Sequence, residues 1–360
     1  MNTLYFDNIV FDLQKSGGIS VVWYELLTRI CHQNDFCIRF IDNEGSVNPY
    51  RRGLNIHHDM IMKGDSCMAV SRYLPVSIKR DSPFLFHSSY YRYCKNPNAI
   101  NITTVHDFTY EYYRKGLAKK LHCWQKYKAL RHSQYIVCIS ENTKRDLLKF
   151  VPDIEEEKIR IIYNGVSDDY CVLDKSEASS AIPFERNKYV VFVGNRGGYK
   201  NFDFLKKTIT KSNFNLVIVG SPLSDEEVCD LERFLPRERY VCTGFLPNKD
   251  LNVLYNHAAA LVYPSAYEGF GIPVIEAQKA GCPVIAYNNS SIPEVIGETP
   301  LLMSELSEKE LMDKLELLSD NELMKKARVE GLENAKRFSW DKMYQGYLDL
   351  YKEAFSEKGK

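Results

Sequence analysis

Residues 263–276, Tyr-Pro-Ser-Ala-Tyr-Glu-Gly-Phe-Gly-Ile-Pro-Val-Ile-Glu, decide how this chain folds. They follow a short apolar run at 258–262 that reads as a buried strand. Pro273 opens a short apolar helix at a position where a missing N–H costs nothing. Gly281 ends that helix, and 282–286 reads as the next strand. Strand, glycine loop, helix and strand in this order form a βαβ unit with parallel strands. The loop Gly269-Phe270-Gly271-Ile272 aims backbone N–H groups along the positive end of the helix, which attracts phosphate or another polyanion. Glu268 on the loop and Glu276 one turn inside the helix bracket it. A carboxylate repels phosphate, so these two suit hydroxyl groups.

The same alternation extends outward on both sides. Strands are expected at 188–193, 215–219, 240–243, 258–263 and 283–287, with helices near 224–235, 249–257, 273–280 and 292–297. This βαβα order implies a doubly wound parallel sheet. The first strand is followed by Gly194-Asn195-Arg196-Gly197-Gly198-Tyr199-Lys200-Asn201, which brings two cations to a strand end. Arg offers a planar fork and Lys a point charge, and both suit phosphate oxygens. Gly244-Phe245-Leu246 closes another strand. Residues 306–358 read as helical, and the last helix carries Trp340, Met343, Tyr344, Tyr347, Leu350 and Tyr351 on one face.

The first half of the chain repeats the pattern, with strands expected at 4–13, 36–41, 84–87, 100–105, 135–139 and 159–163. Lys15-Ser16-Gly17-Gly18-Ile19-Ser20 joins the first strand to a helix. It is not the Gly-x-Gly-x-x-Gly dinucleotide fingerprint, which weighs against a nicotinamide enzyme. His87 and His106-Asp107 stand at strand ends, where ligands of open α/β sheets bind. Residues 43–82 are polar and read as loops and a short helix. The helix expected at 114–132 holds seven Lys and Arg and no acidic residue, with Leu117, Leu121, Trp124 and Leu130 between them. A solvated helix face accounts for it; attraction to anionic lipid is the sharper reading. Residues 167–187 lack periodicity, and a linker is placed at 171–187.

Composition bounds the function. At 360 residues, 44% apolar and 26% charged, the chain suits two globular domains. A net charge of zero argues against a general nucleic-acid binder. It hides an asymmetry: residues 1–170 hold 23 Lys and Arg against 19 Asp and Glu, and the remainder 24 against 28. Ten scattered cysteines fit reduced thiols better than disulfides or zinc. Asp7 and Asp12 interrupt the N-terminal stretch, so no signal peptide is read there, and no run of about 18 apolar residues exists to span a membrane. The absence of any Asp-x-Asp pair argues against a metal bridging bound phosphates.

Glu268-(seven residues)-Glu276 around Gly-Phe-Gly-Ile-Pro resembles the signature of retaining glycosyltransferases of the GT-B fold, family 4, and the likeness extends to bacterial surface-polysaccharide enzymes of the O-antigen mannosyltransferase kind. The Ser140-Glu141-Asn142-Thr143 helix start and the Tyr163-Asn164-Gly165-Val166 turn resemble the same family. The resemblance implies two Rossmann-like, doubly wound parallel-sheet domains facing across a cleft. It gives 1–170 to the acceptor side and 188–339 to the nucleotide sugar, and has 340–360 cross back to the first domain. It implies His106 and Glu268 as catalytic residues at the donor sugar, Glu276 on the ribose and Phe245 at the base. Gly17, Gly18, Arg196, Lys200, Gly269, Phe270, Gly271 and Ile272 fall to the donor diphosphate.

No cofactor or metal is implied. The donor would be a GDP- or UDP-linked hexose, with GDP-mannose preferred, and the acceptor a glycan or lipid-linked oligosaccharide. The enzyme would work in the cytoplasm, on the inner membrane face if the basic helix meets anionic lipid, and would bind no nucleic acid. Same-face attack by the acceptor would retain the anomeric configuration. Two other readings stay open: a nucleotide- or sugar-binding protein without transfer, and a sugar-nucleotide epimerase. Release of free nucleotide during transfer separates them.

Overall fold

Strands such as Tyr189–Val193 (Tyr-Val-Val-Phe-Val) and Asn215–Val219 (Asn-Leu-Val-Ile-Val) are apolar almost throughout, as a sheet covered on both faces requires. The computed structural model, which describes residues 2–15, 17–43, 45–64, 68–174 and 182–358, accordingly contains two parallel sheets. They lie in separate units, one made of Met1–Gly165 with Trp340–Lys360 and the other of Val166–Ser339.

Among the described residues the first sheet has seven strands: β1 (Asn2–Asp7), β2 (Phe36–Asp42), β3 (Ile61–Lys63), β4 (Phe84–Ser88), β5 (Ala99–Val105), β6 (Tyr135–Cys138) and β7 (Ile159–Ile161). Their order is β3-β2-β1-β4-β5-β6-β7. The second has β8 (Tyr189–Val193), β9 (Asn215–Val219), β10 (Tyr240–Gly244), β11 (Ala260–Tyr263), β12 (Val284–Tyr287) and β13 (Leu302–Met303), ordered β10-β9-β8-β11-β12-β13. The winding reverses at β1/β4 in one unit and at β8/β11 in the other. Crevices at such switch points, outside the carboxyl ends of the strands, are where open α/β sheets hold ligands.

Several elements differ from the sequence expectation. The first strand stops at Asp7, and Val10–Leu13 is a short helix, with the Val10 N–H donating to Ser89 Oγ at 2.9 Å. β3 and β13, three and two residues long, were not expected, because so short a run carries no periodicity. The basic segment is two helices, Thr109–Tyr113 and Gly116–Arg131, so Arg114 and Lys115 precede the longer one. Residues 166–173, placed above in the first domain and the linker, are held by the second unit. There the Cys171 and Leu173 N–H groups donate to Asn252 Oδ1 (3.1 Å) and Asn256 Oδ1 (2.8 Å). Of the linker, 175–181 lie outside the described residues, as do Ser16 of the first glycine loop and 65–67 of the polar region.

The C-terminal helix Trp340–Lys358 packs within the first unit. Met343, Tyr347, Leu350, Tyr351 and Ala354 are all buried. Each large apolar side chain contributes roughly 1.5–3 kcal/mol on burial. The half-exposed ion pair Arg160–Glu353 contributes ~1 kcal/mol at most, so the apolar face decides the docking. Two hydroxyls fix the register: Tyr351 Oη meets His87 Nδ1 at 2.8 Å, and Tyr347 Oη meets Thr104 Oγ1 at 3.0 Å. His87 therefore lies inside β4, not beyond it. It is wholly buried, and burial, with His106 nearby, pushes its pKa down to about 3. It is a neutral core histidine. The nine described cysteines are all unpaired, and no helix among the described residues is long and apolar enough to cross a membrane.

Candidate active site

In the second unit the loops after β8 and β11 are zipped together. The Ala266 N–H donates to Tyr199 O at 2.7 Å, and Asn201 Nδ2 donates to Pro264 O at 2.8 Å. Asn201 makes this possible by adopting a left-handed conformation (φ 52°), which Asn tolerates. Between these contacts Lys200 Nζ meets Glu268 Oε1 at 2.5 Å and lies 3.3 Å from Tyr263 Oη. Both side chains of the ion pair are nearly buried. Burial works against the Lys200 ammonium, but Glu268, Tyr263 and Tyr199 outweigh it, so the lysine stays charged. Two residues expected at the donor, 68 positions apart, are thus one buried pair at the switch point.

The glycine loop is held from a neighbouring segment. Ser290 Oγ accepts from the Glu268 N–H at 2.9 Å, and Ser291 Oγ donates to Glu268 O (2.9 Å) and Phe270 O (3.0 Å). Asn289 Nδ2 donates to Ala266 O at 2.9 Å. None of these three was expected at the site; Asn-Asn-Ser-Ser directly after β12 is the signal that could have found them. Gly271 sits at φ 98°, and a Cβ there would come within 2.8 Å of Ile292 Cδ1, so glycine is required. Helix Ile272–Lys279 follows with no side-chain cap.

Glu276 projects toward the hydroxyls of Tyr255 (3.4 Å from Oε2) and Tyr170, and burial pushes its pKa up to about 7. Arg196, expected beside Lys200 on a diphosphate, has its own carboxylate. Its Nε and Nη2 donate to Glu227 at 2.7 and 2.8 Å, and it also donates to Ser221 O and Pro222 O. The guanidinium holds Glu227 down to about 2. Arg196 thus ties the β8 loop to the capping box of helix Asp225–Glu232. Phe245 follows β10 and is 76% exposed.

In the first unit Gly17 is extended and Gly18 begins helix Gly18–Ile30; a Cβ on Gly18 would meet nothing within 4 Å. Packing does not demand the second glycine. His106, half-buried, directly follows β5, and its ring makes no hydrogen bond among the described residues. Burial is the main cause that lowers its pKa to about 4; Lys126 adds to the shift and Asp107 opposes it. The imidazole is neutral across the physiological range. Asp107 Oδ1 accepts from the Thr109 N–H at 2.8 Å and so starts helix Thr109–Tyr113.

The basic helix is not uniformly a surface. Lys126 is fully buried against Glu111, Lys119 donates to Glu111 O, and Arg131 pairs with Asp153. Leu117, Leu121 and Trp124, spaced by four and three residues on one side, are 82%, 43% and 49% exposed.

Comparisons with known proteins bear on both units. The family model described as Glycosyltransferase Family 4 matches residues 16–170, and that described as Glycosyl transferases group 1 matches 174–338. The chain is 27% identical over 271 residues to O-antigen chain mannosyltransferase B of Escherichia coli, covering 70% of each chain. It is 29% identical over 214 residues to O-antigen chain mannosyltransferase RfbU of Salmonella typhimurium, covering 57% of each. Among solved structures it is similar to sucrose-phosphate synthase from Thermosynechococcus elongatus (TM-score 0.77, 16% identity, 99% of this chain and 100% of that one). It is also similar to Anabaena HepE in complex with UDP (TM-score 0.72, 15% identity, 98% and 100%). At these identities the structural likeness concerns the fold, which is GT-B.

Proposed function

The chain belongs to glycosyltransferase family 4, with the group 1 glycosyl transferase half that accompanies it, and from that premise we propose that it moves a hexose with retention from a nucleoside-diphosphate sugar to a growing surface glycan. The observation that carries this reading is the buried Lys200–Glu268 pair at the β8/β11 switch point, with Glu268 on the loop that leads into a helix start without a side-chain cap. A buried ammonium and a helix N-terminus stabilise the charge that develops on a departing diphosphate. Glu268 and the neutral His106 are proposed to hydrogen-bond the reacting sugar, and Glu276 the ribose. Phe245 is proposed at the base, and Gly17, Gly18, Arg196 and the 269–272 loop at the diphosphate.

In the proposed step the bond from the anomeric carbon to the donor phosphate oxygen breaks, and a bond to the acceptor oxygen forms on the same face. The acceptor proton passes to the departing phosphate. GDP-mannose is the preferred donor, by likeness to mannosyltransferases. Incubation with GDP-mannose or UDP-hexoses, a glycan acceptor and excess EDTA is expected to release nucleoside diphosphate and to give a product of retained anomeric configuration. His106→Ala and Glu268→Gln are each expected to slow this at least ten-fold. Donor binding without turnover would make the protein a binding module, and an epimerised donor without transfer would make it an epimerase.

The cytoplasmic membrane surface is proposed as the workplace. Leu117, Leu121 and Trp124 offer an apolar stripe, and the exposed Arg114, Lys115 and Lys120 beside it each contribute about 1 kcal/mol near anionic lipid. Lys126, being buried, takes no part. Flotation with anionic but not neutral liposomes is expected, and is expected to be lost when these three cations become Glu. Equal recovery of wild type and variant would leave the stripe as ordinary surface.

A further inference from the structure

Lys126 is a lysine with no exposed surface, set opposite Glu111, which is almost as deeply buried. Lysine and glutamate are almost never fully buried unless they are paired, and such a pair is weak evidence for stability. Its geometry points to another role. The Lys126 Nζ meets Glu111 Oε1 at 2.9 Å and Oε2 at 3.0 Å, and donates to Asp107 O at 2.9 Å. The ammonium also lies 4.1 Å from the Phe108 ring centroid and 5.4 Å from that of Tyr91. One cation therefore grips the carbonyl next to His106, the ring two residues on, the helix Thr109–Tyr113 through Glu111, and the loop after β4. Tyr91 in that loop has φ 34°, a conformation that an aromatic residue keeps only when its surroundings enforce it.

We propose that Lys126 is a positioning residue for His106: by holding Asp107 O, the Phe108 ring and Glu111 it fixes the turn that presents the imidazole. The proposal rests on the assignment of His106 to the transfer step. The charged and titratable groups that interact with His106 are Asp107 on its own loop, His87 on β4, Tyr91 beyond β4 and Lys126 on the basic helix, with Glu111 and His122 facing Lys126. Lys126 is the group among them that pushes the imidazole toward neutrality by its charge, while Asp107 pulls the other way. Removing the cation must therefore raise the pKa of His106.

The test uses the full chain. Lys126→Met alone strands the buried Glu111 charge and risks unfolding, so Lys126→Met/Glu111→Gln, which removes both charges, is the main variant. Its His106 ring titration, followed by NMR and assigned by its loss in His106→Ala, is expected to move up from the wild-type value. The acid limb of kcat/KM should move up with it, and kcat should fall about ten-fold with donor KM little changed, the pattern of a group that acts in the transition state. A folded double variant with wild-type titration and wild-type kcat overturns the proposal. If instead His106→Ala transfers sugar at full rate, the assignment of His106 fails, while the ring titration still decides whether Lys126 sets its protonation.

Discussion

Lys200→Met is expected to lower kcat/KM for donor turnover by about 100-fold or more. The pair it breaks is nearly dry, with Nζ and Oε1 2.5 Å apart. Removing one partner of a buried ion pair typically costs ~3–5 kcal/mol, because the other charge is left uncompensated. Each ~1.4 kcal/mol in the transition state is ten-fold in rate. Part of the loss will appear as lower stability, so Lys200→Met/Glu268→Gln is the necessary control. It restores charge balance and is expected to recover the melting temperature without recovering turnover. Arg196→Ala should cost less, roughly ten-fold, since its partner Glu227 is half-exposed and easily rehydrated. Near-wild-type kinetics in a folded Lys200→Met would remove the lysine from the donor site.

The second large effect is on stability. His87 has no exposed surface, and its pKa is pushed down to about 3 from the usual 6.5. The sign follows from which state takes up protons. Below pH 6.5 the unfolded chain protonates this histidine and the folded one does not. The stability it contributes is complete above pH 6.5 and is lost as pH falls toward 3. At ~1.4 kcal/mol per pH unit, the loss between pH 6.5 and 4 is about 3 kcal/mol. Asp7, Asp12 and Asp42 in the same unit have raised pKa values and act in the opposite sense, so wild type alone would mix the effects. The readout is the difference in unfolding free energy between wild type and His87→Gln, in which those groups cancel. That difference should shift against wild type by about 3 kcal/mol on acidification from pH 6.5 to 4. A difference independent of pH would mean that the imidazole already carries its proton in the folded protein.

Much of the second unit was legible from local signals, because its strands are short apolar runs separated by turn residues, and such runs need both faces covered. The glycine loop was legible for the same reason: Gly271 stands where only glycine accepts φ 98°, and Pro273 where no N–H is needed. The first unit was read less well. In 43–82 the elements are three to five residues long, shorter than any hydrophobic period that could reveal them.

What the sequence by itself determined was the alternation of strand and helix that makes parallel α/β sheets, since this rests on period and local turn chemistry, while the GT-B class and the family were legible through the resemblance carried by the Glu268–Glu276 stretch. The tertiary structure alone decided which charges meet. Lys200 and Glu268 become a pair because β8 and β11 are neighbours in the sheet, although β9 and β10 lie between them in the chain. His87 became a core residue because Tyr351, 264 positions later, closes over it. Lys126 shares its helix with Lys119, Lys120 and Lys128, and by composition the four look alike. Yet the inward face there is Gln125, Lys126, Ala129 and Leu130. A lysine on the buried side of a helix breaks the hydrophobic period that sequence analysis follows. Its place depends on Glu111 and Asp107, which the folding of separate elements brings within 3.0 Å.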